Sequence, residues 1–199
     1  MKTMHFQIYN HPFPHIIIEE TFNEEELELV WKELKLLDND LTGPDEYDAA
    51  KAQDGTYLTK AKGLSLDKMY RDRRSSSDIL KITQEVLFNS HFLDNMIGYD
   101  NYWVTYAHSN QDFTKVRKYF PGDGYAPHSD FWVNAIVSTT LCDEEDMGGN
   151  LYFPRHDFWI KTRNNETVVF PGWVEHSVTK MIDYERYAIT KFISCSNNV

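Results

Sequence analysis

The chain has 199 residues, and its 20 Lys plus Arg against 31 Asp plus Glu leave a formal charge of −11 at pH 7, with 41% hydrophobic and 15% aromatic residues. That length suits a single domain and that composition a globular one, while a field this acidic disfavours phosphate backbones and anionic membranes as partners. Cys142 and Cys195 are too few for a disulfide framework, no secretory signal opens the chain and no apolar run approaches the ~20 residues of a membrane span, so a cytoplasmic protein with reduced thiols is expected.

The period of the hydrophobic residues divides the chain into a supporting half, residues 1–99, and a strand-rich half, residues 100–195, within one domain, 1–199. His15-Ile16-Ile17-Ile18-Glu19 reads as a short strand. Asn23 then has the chemistry of a helix cap, with Glu26 placed to close a capping box and Leu27, Val30, Trp31, Leu34 and Leu37 forming one apolar stripe. Residues from about 38 to 76 are polar and weakly periodic, and a connection of that length is expected to be functional, a lid that meets substrate with Tyr70, Arg73 and Arg74. A second helix is expected from Ser77, with Ile79, Ile82 and Val86 inward, to the neighbourhood of Gly98.

Beyond residue 100 the pattern turns to short β-rich runs: Tyr102 to Ala107, Lys115 to Phe120, Val133 to Leu141, Leu151 to Phe153, Phe158 to Lys161, Thr167 to Phe170, Ser177 to Met181 and Tyr187 to Ile193. Gly and Pro punctuate them. The pattern predicts a mostly β protein with bracing helices, built as an antiparallel two-sheet sandwich or barrel with jelly-roll winding.

His128 and Asp130 lie two apart in Tyr125-Ala126-Pro127-His128-Ser129-Asp130, so on extended backbone both project from one face. His176 comes before another β-rich run. Two histidines and one carboxylate on adjacent strands make a facial triad with open coordination positions, the donor set of non-haem Fe(II) oxygen chemistry. Arg186 follows at the start of a strand, where a long cation can return toward the metal and pair with a carboxylate. Each residue alone has a commoner structural explanation: a turn histidine, a sheet histidine, a solvated strand arginine. Their order and spacing together carry the metal reading.

These residues resemble the 2-oxoglutarate- and Fe(II)-dependent oxygenases, most closely the prolyl 4-hydroxylase-like branch. The resemblance is carried by Tyr119-Phe-Pro-Gly-Asp-Gly-Tyr-Ala-Pro-His128-Ser-Asp130, Gly148-Gly-Asn-Leu-Tyr-Phe-Pro154, Val169-Phe-Pro171 with His176-Ser-Val178, and Arg186-Tyr187. It implies a double-stranded β-helix core, Fe(II) held by His128, Asp130 and His176, and O2 and 2-oxoglutarate as cosubstrates, with ascorbate as an accessory reductant. The distal carboxylate of 2-oxoglutarate would be held by Arg186 and the Tyr119 hydroxyl. Relatives with arginine at this position often carry serine two residues on, whereas this chain has Ala188; Thr190 or Thr179 is the expected substitute. The second arginine of the alkylated-base repair branch is replaced by Phe192, which with the charge argues against nucleobase repair. Asn134, Trp173 and Tyr125 are candidates for supporting the ligands.

The resulting expectation is a dioxygenase that hydroxylates an unactivated C–H bond, in peptidyl proline or another protein side chain, releasing succinate and CO2. The competing expectations are the same chemistry on a free amino acid or small metabolite, a jelly-roll module that binds without catalysis, and a zinc hydrolase. No nucleic acid or membrane partner is expected, and the negative charge suggests a neutral or basic macromolecular substrate.

Overall fold

Described in a computed structural model over residues 5–143 and 148–195, the chain folds as two antiparallel sheets with helices behind the larger one. In chain order its elements are β1 (His5–Tyr9), β2 (His15–Glu19), α1 (Glu24–Leu37), β3 (Lys62–Ser65), α2 (Leu66–Met69), α3 (Asp78–Leu87), α4 (Ser90–Tyr99), α5 (Trp103–Ala107), β4 (Gln111–Tyr119), β5 (Tyr125–His128), β6 (Ala135–Leu141), β7 (Leu151–Phe153), β8 (Phe158–Ile160), β9 (Glu166–Pro171), β10 (His176–Val178) and β11 (Arg186–Ser194). The large sheet runs β1-β2-β9-β6-β11-β4-β3 and the small one β5-β10-β7-β8. This is the expected mostly β jelly roll, and no helix among the described residues is long and apolar enough to cross a membrane.

The α1 expectation holds in detail. The Asn23 side chain accepts from the Glu26 amide, the Glu26 carboxylate accepts from the Asn23 amide, and Val30, Leu34 and Leu37 are buried. Their partners come from the outer face of the large sheet, including Ile16, Ile18, Val116, Val137, Val169, Ile189 and Ile193, and from α3, α4 and α5. A second apolar cluster, with Phe13, Ile136, Phe153, Phe170 and Phe192, fills the space between the sheets. The large sheet is therefore covered on both faces, and its central strands carry inward residues of two kinds.

Three sequence expectations require correction. Tyr102 to Ala107 is not a strand; residues Trp103–Ala107 form α5, because Trp103 and Tyr106, three apart, both insert into the helical core. The helix expected from Ser77 to about Gly98 is two helices. Asn89 divides them, its side chain donating to the Val86 carbonyl at 2.6 Å and accepting from the Phe92 amide at 2.9 Å. The polar stretch 38–76 also holds β3, which completes the large sheet beside β4, and so is less loop-like than its composition implied.

Glu33, buried on α1, accepts from the Ile79 amide at 2.7 Å and so caps the first turn of α3, where a negative charge also meets the helix dipole. Glu33→Ala is expected to lower stability by about 1–2 kcal/mol and Glu33→Gln by less, since the amide oxygen preserves the acceptor. Urea unfolding of the two variants checks the order; equal losses would assign the effect to charge alone.

Candidate active site

The two histidines arrive opposite one another. His176 and His128 are Cα partners across the β10–β5 pair, with ring centroids 4.4 Å apart. Asp130 lies just past β5, where its amide donates to the Gly172 carbonyl at 2.8 Å and fixes the loop against the Pro171-Gly172 turn. A Cβ at Gly172 would stand 2.6 Å from both the Asp130 and Val133 carbonyl oxygens, so this approach requires glycine.

The Asp130 Oδ2 lies 3.7 Å from His176 Nε2 and 3.9 Å from His128 Nε2, and one donor atom from each residue falls within 4.8 Å of the others. Two donors bound at about 2.1 Å to one ion stand at most about 4.2 Å apart, so both carboxylate–imidazole pairs can share a centre. The tautomers also suit a metal. Each imidazole donates from Nδ1 to the carbonyl two residues earlier, Ala126 for His128 and Val174 for His176, at 2.9 Å in both cases. That leaves each Nε2 with a free lone pair facing Asp130, the orientation second-sphere carbonyls impose on metal-binding histidines.

Electrostatics keep those lone pairs available. Burial pushes the His176 imidazole down to about 3, helped by the neighbouring His128, and burial likewise lowers His128. Both rings are therefore neutral donors near pH 7. Tyr125 stacks on His128 at 4.2 Å and Phe170 meets His176 edge-on at 4.9 Å, walling off the ring faces.

Arg186 opens β11 and lines the same cavity as the three donors, together with Tyr119. Its guanidinium lies over the Tyr119 ring at 5.0 Å, donates from Nη1 to the Thr162 hydroxyl at 2.9 Å, and has a buried Nε with no partner. Thr140 Oγ1 is a longer contact at 3.4 Å. Gly149, at φ +64°, backs this cation: a Cβ there would stand 3.1 Å from Arg186 Nε and 2.5 Å from Met181 Sδ, which gives the Gly148-Gly149 pair a steric purpose. A buried guanidinium held only by hydroxyls, with a polar atom unsatisfied, is suited to receiving an anion.

The structure thus brings His128, Asp130, His176, Arg186 and Tyr119 to one cavity. Of the supporting candidates it retains Tyr125. Asn134 turns away and donates to Ser109 Oγ at 3.0 Å, because it lies before β6 at the sheet's opposite margin. Trp173 is exposed. Of the two threonines expected to supply a cosubstrate contact, Thr190 lines the cavity and accepts from Arg117 while Thr179 accepts from the Asn150 amide, and the hydroxyls beside Arg186 itself are those of Thr162 and Thr140. Within 38–76, Ala50 donates to the Tyr125 hydroxyl and Leu58 accepts from Ala126, so the middle of the segment borders the site. Arg74, expected on a lid, is instead committed to Asp67 and Asp112 beside α2. Sequence reasoning missed Arg117, whose side chain enters the same cavity from β4.

Residues 114–194 match the family model of the 2OG-Fe(II) oxygenase superfamily. No curated protein matches the sequence. Among solved structures, a prolyl hydroxylase from Trichoplax adhaerens, in complex with a peptide of the hypoxia inducible factor oxygen degradation domain, superposes with a TM-score of 0.65 at 18% identity, covering 90% of this chain and 83% of that one. A Pseudomonas putida prolyl-4-hydroxylase gives a TM-score of 0.58 at 14% identity over 92% and 93% of the two chains. The viral collagen prolyl hydroxylase of Paramecium Bursaria Chlorella virus-1, in complex with 2OG, gives 0.56 at 15% identity over 92% and 96%.

The donor set of His128, Asp130 and His176 lies within the segment that matches the 2OG-Fe(II) oxygenase superfamily model. The fold of the chain is that shared by the prolyl 4-hydroxylases.

Proposed function

We propose that the enzyme hydroxylates an unactivated C–H bond of a protein or peptide side chain, peptidyl proline foremost, releasing succinate and CO2. The observation that carries the reading is the convergence of two Nε2 lone pairs and one carboxylate beside a buried, anion-seeking arginine. His128, Asp130 and His176 hold the iron. Fe(II) with 2-oxoglutarate supplies the oxidising power when bound.

The chain's own residues do the rest. The Ala126 and Val174 carbonyls hold both imidazoles in the ligating tautomer. Arg186 neutralises and orients the distal carboxylate of 2-oxoglutarate through charge-assisted hydrogen bonds, with the Tyr119 hydroxyl and Thr162 beside it. Tyr125 and Phe170 exclude water from the ring faces of the histidines. The exposed aromatics Phe131, Trp132 and Trp173 sit on the two segments that carry Asp130 and His176, a surface suited to an extended, proline-containing chain. Two of the superposed structures are named as prolyl hydroxylases of a peptide or of collagen, which supports a peptide substrate.

Anaerobic titration with Fe(II) and then 2-oxoglutarate, followed by the visible charge-transfer band, tests the site. Arg186→Met is expected to weaken 2-oxoglutarate by about 10–100-fold while leaving Fe(II) affinity close to that of the native protein. Equal loss of both would make Arg186 structural, and no band in the native protein would refute the cosubstrate assignment.

A further inference from the structure

Arg117 has no role in the reading above. It lies on β4 opposite Ala188 of β11, one inward position along the ladder from the Tyr119–Arg186 pair, about 7 Å away at strand spacing. Its side chain lines the cavity that holds the three metal donors and is 5% exposed. Nη1 donates to Thr190 Oγ1 at 3.1 Å, while the buried Nε has no partner. The rings of Tyr125, Tyr47 and Phe192 surround the guanidinium carbon at 5.4, 5.8 and 5.9 Å. No carboxylate lies within 4.0 Å of it among the described residues. The next inward residue, Lys115, is also buried, and its Nζ donates only to a backbone carbonyl, that of Asp48, at 2.6 Å. Burial and the nearby Arg117 lower its ammonium to about 8.

Two buried cations on one strand, on which the carboxylates of Asp130 and Asp48 act only from beyond ion-pair distance, are costly unless a further anion is bound with them. The partners of Arg117 are distinct from those of Arg186, so one carboxylate of 2-oxoglutarate cannot satisfy both sites as they stand. We infer that Arg117, supported by Lys115, binds a carboxylate of the primary substrate and so orients the carbon to be hydroxylated beside the metal. This rests on the oxygenase reading and narrows it to substrates that carry a carboxylate, either a free amino acid or an acidic residue within a peptide. Phe192 and Tyr125 supply the apolar walls against which the carbon skeleton packs.

The test uses full-length protein loaded with Mn(II) and saturating 2-oxoglutarate, with trifluoroacetate as probe and its 19F relaxation as readout. The native protein should accelerate relaxation, Arg117→Met should weaken probe binding by about tenfold or more, and Arg117→Lys should recover part of it. Equal relaxation by the native and Arg117→Met proteins would overturn the inference. So would a loss of 2-oxoglutarate affinity in Arg117→Met as large as in Arg186→Met, which would make Arg117 a cosubstrate ligand. Displacement of the probe by proline and not prolinamide assigns a free amino acid; displacement by a blocked proline–glutamate peptide and not its glutamine counterpart assigns an acidic peptide. Displacement by neither carboxylate overturns an organic substrate site. If Mn(II) and 2-oxoglutarate fail to bind the native protein, the oxygenase reading has failed, and 19F line widths in metal-free native and Arg117→Met proteins still decide the anion site.

Discussion

Asp130→Ala is expected to remove Fe(II) binding and with it turnover: at least about 100-fold in metal affinity, beyond the 10–100-fold typical of losing a group that merely supports a ligand. Asp130 is the single charged member of the triad and sits between both imidazoles, so without it two neutral rings face the ion. It is also the cleanest ligand to remove. Its contact with Gly172 uses the backbone amide, which alanine keeps. His176→Ala would open a hole beside Phe170 and confuse folding with chemistry. Equilibrium dialysis with Fe(II), alongside circular dichroism to establish folding, checks the result. A folded Asp130→Ala protein that retains native Fe(II) affinity would mean that the ion sits elsewhere.

The second large effect is on stability. Lys191 is 1% exposed on the outer face of β11 and pairs with Asp112 of β4, which also accepts from Arg74 Nη2 at 2.8 Å. Removing the shared carboxylate strands the buried Lys191 ammonium, while the part-exposed Arg74 keeps Asp67, and Asp112→Ala should cost about 3–5 kcal/mol. For a chain of this size that corresponds to a fall in Tm of roughly 6–20 °C. Lys191→Met added to Asp112→Ala should restore much of it, because the stranded charge goes too. A double variant no more stable than the single one would place the damage in packing.

The pH dependence has a definite sign. Although burial opposes it, Lys191 and Arg74 together hold the Asp112 carboxyl below its ordinary value. Its contribution is therefore complete above the unfolded carboxylate range, about pH 4, and is lost as pH falls through the lower folded value. Asp67, in the same cluster, is raised by burial, so its protonation relieves a cost and partly offsets that loss. Thermal unfolding between about pH 5 and 2 should show a shallower slope in Asp112→Ala than in the native protein.

The triad was legible in the sequence because its chemistry is specific: few arrangements other than a metal site explain His-x-Asp, a distant His and a strand-initiating Arg in this order. Arg186 was legible for the same reason, but its partners were not. Thr140 and Thr162 are distant in sequence from it, and only closure of the sheets shows which hydroxyls it meets. The α5 segment misled because Tyr102-Trp103-Val104-Thr105-Tyr106 has the propensities of a strand, and burial of Trp103 and Tyr106 on one helical face overrides them. Arg117 was hidden by alternation itself. In Lys115-Val116-Arg117, a one-sided sheet would put Val116 inside and the two flanking cations in water, whereas here helices cover one face and the cavity lies on the other.

That two-sided strand has a consequence for how the enzyme can change. Arg117 and Tyr119 of β4 face the cavity, and Val116 between them faces the helical core. On the substrate role inferred for Arg117, a point substitution there would change substrate preference while Val116, on the opposite face, keeps its place in the helical core. A one-residue insertion has no such freedom, since it would send Val116 into the cavity and a cation into the core at once. The strand therefore permits new substrates through exchange of side chains and forbids them through change of length.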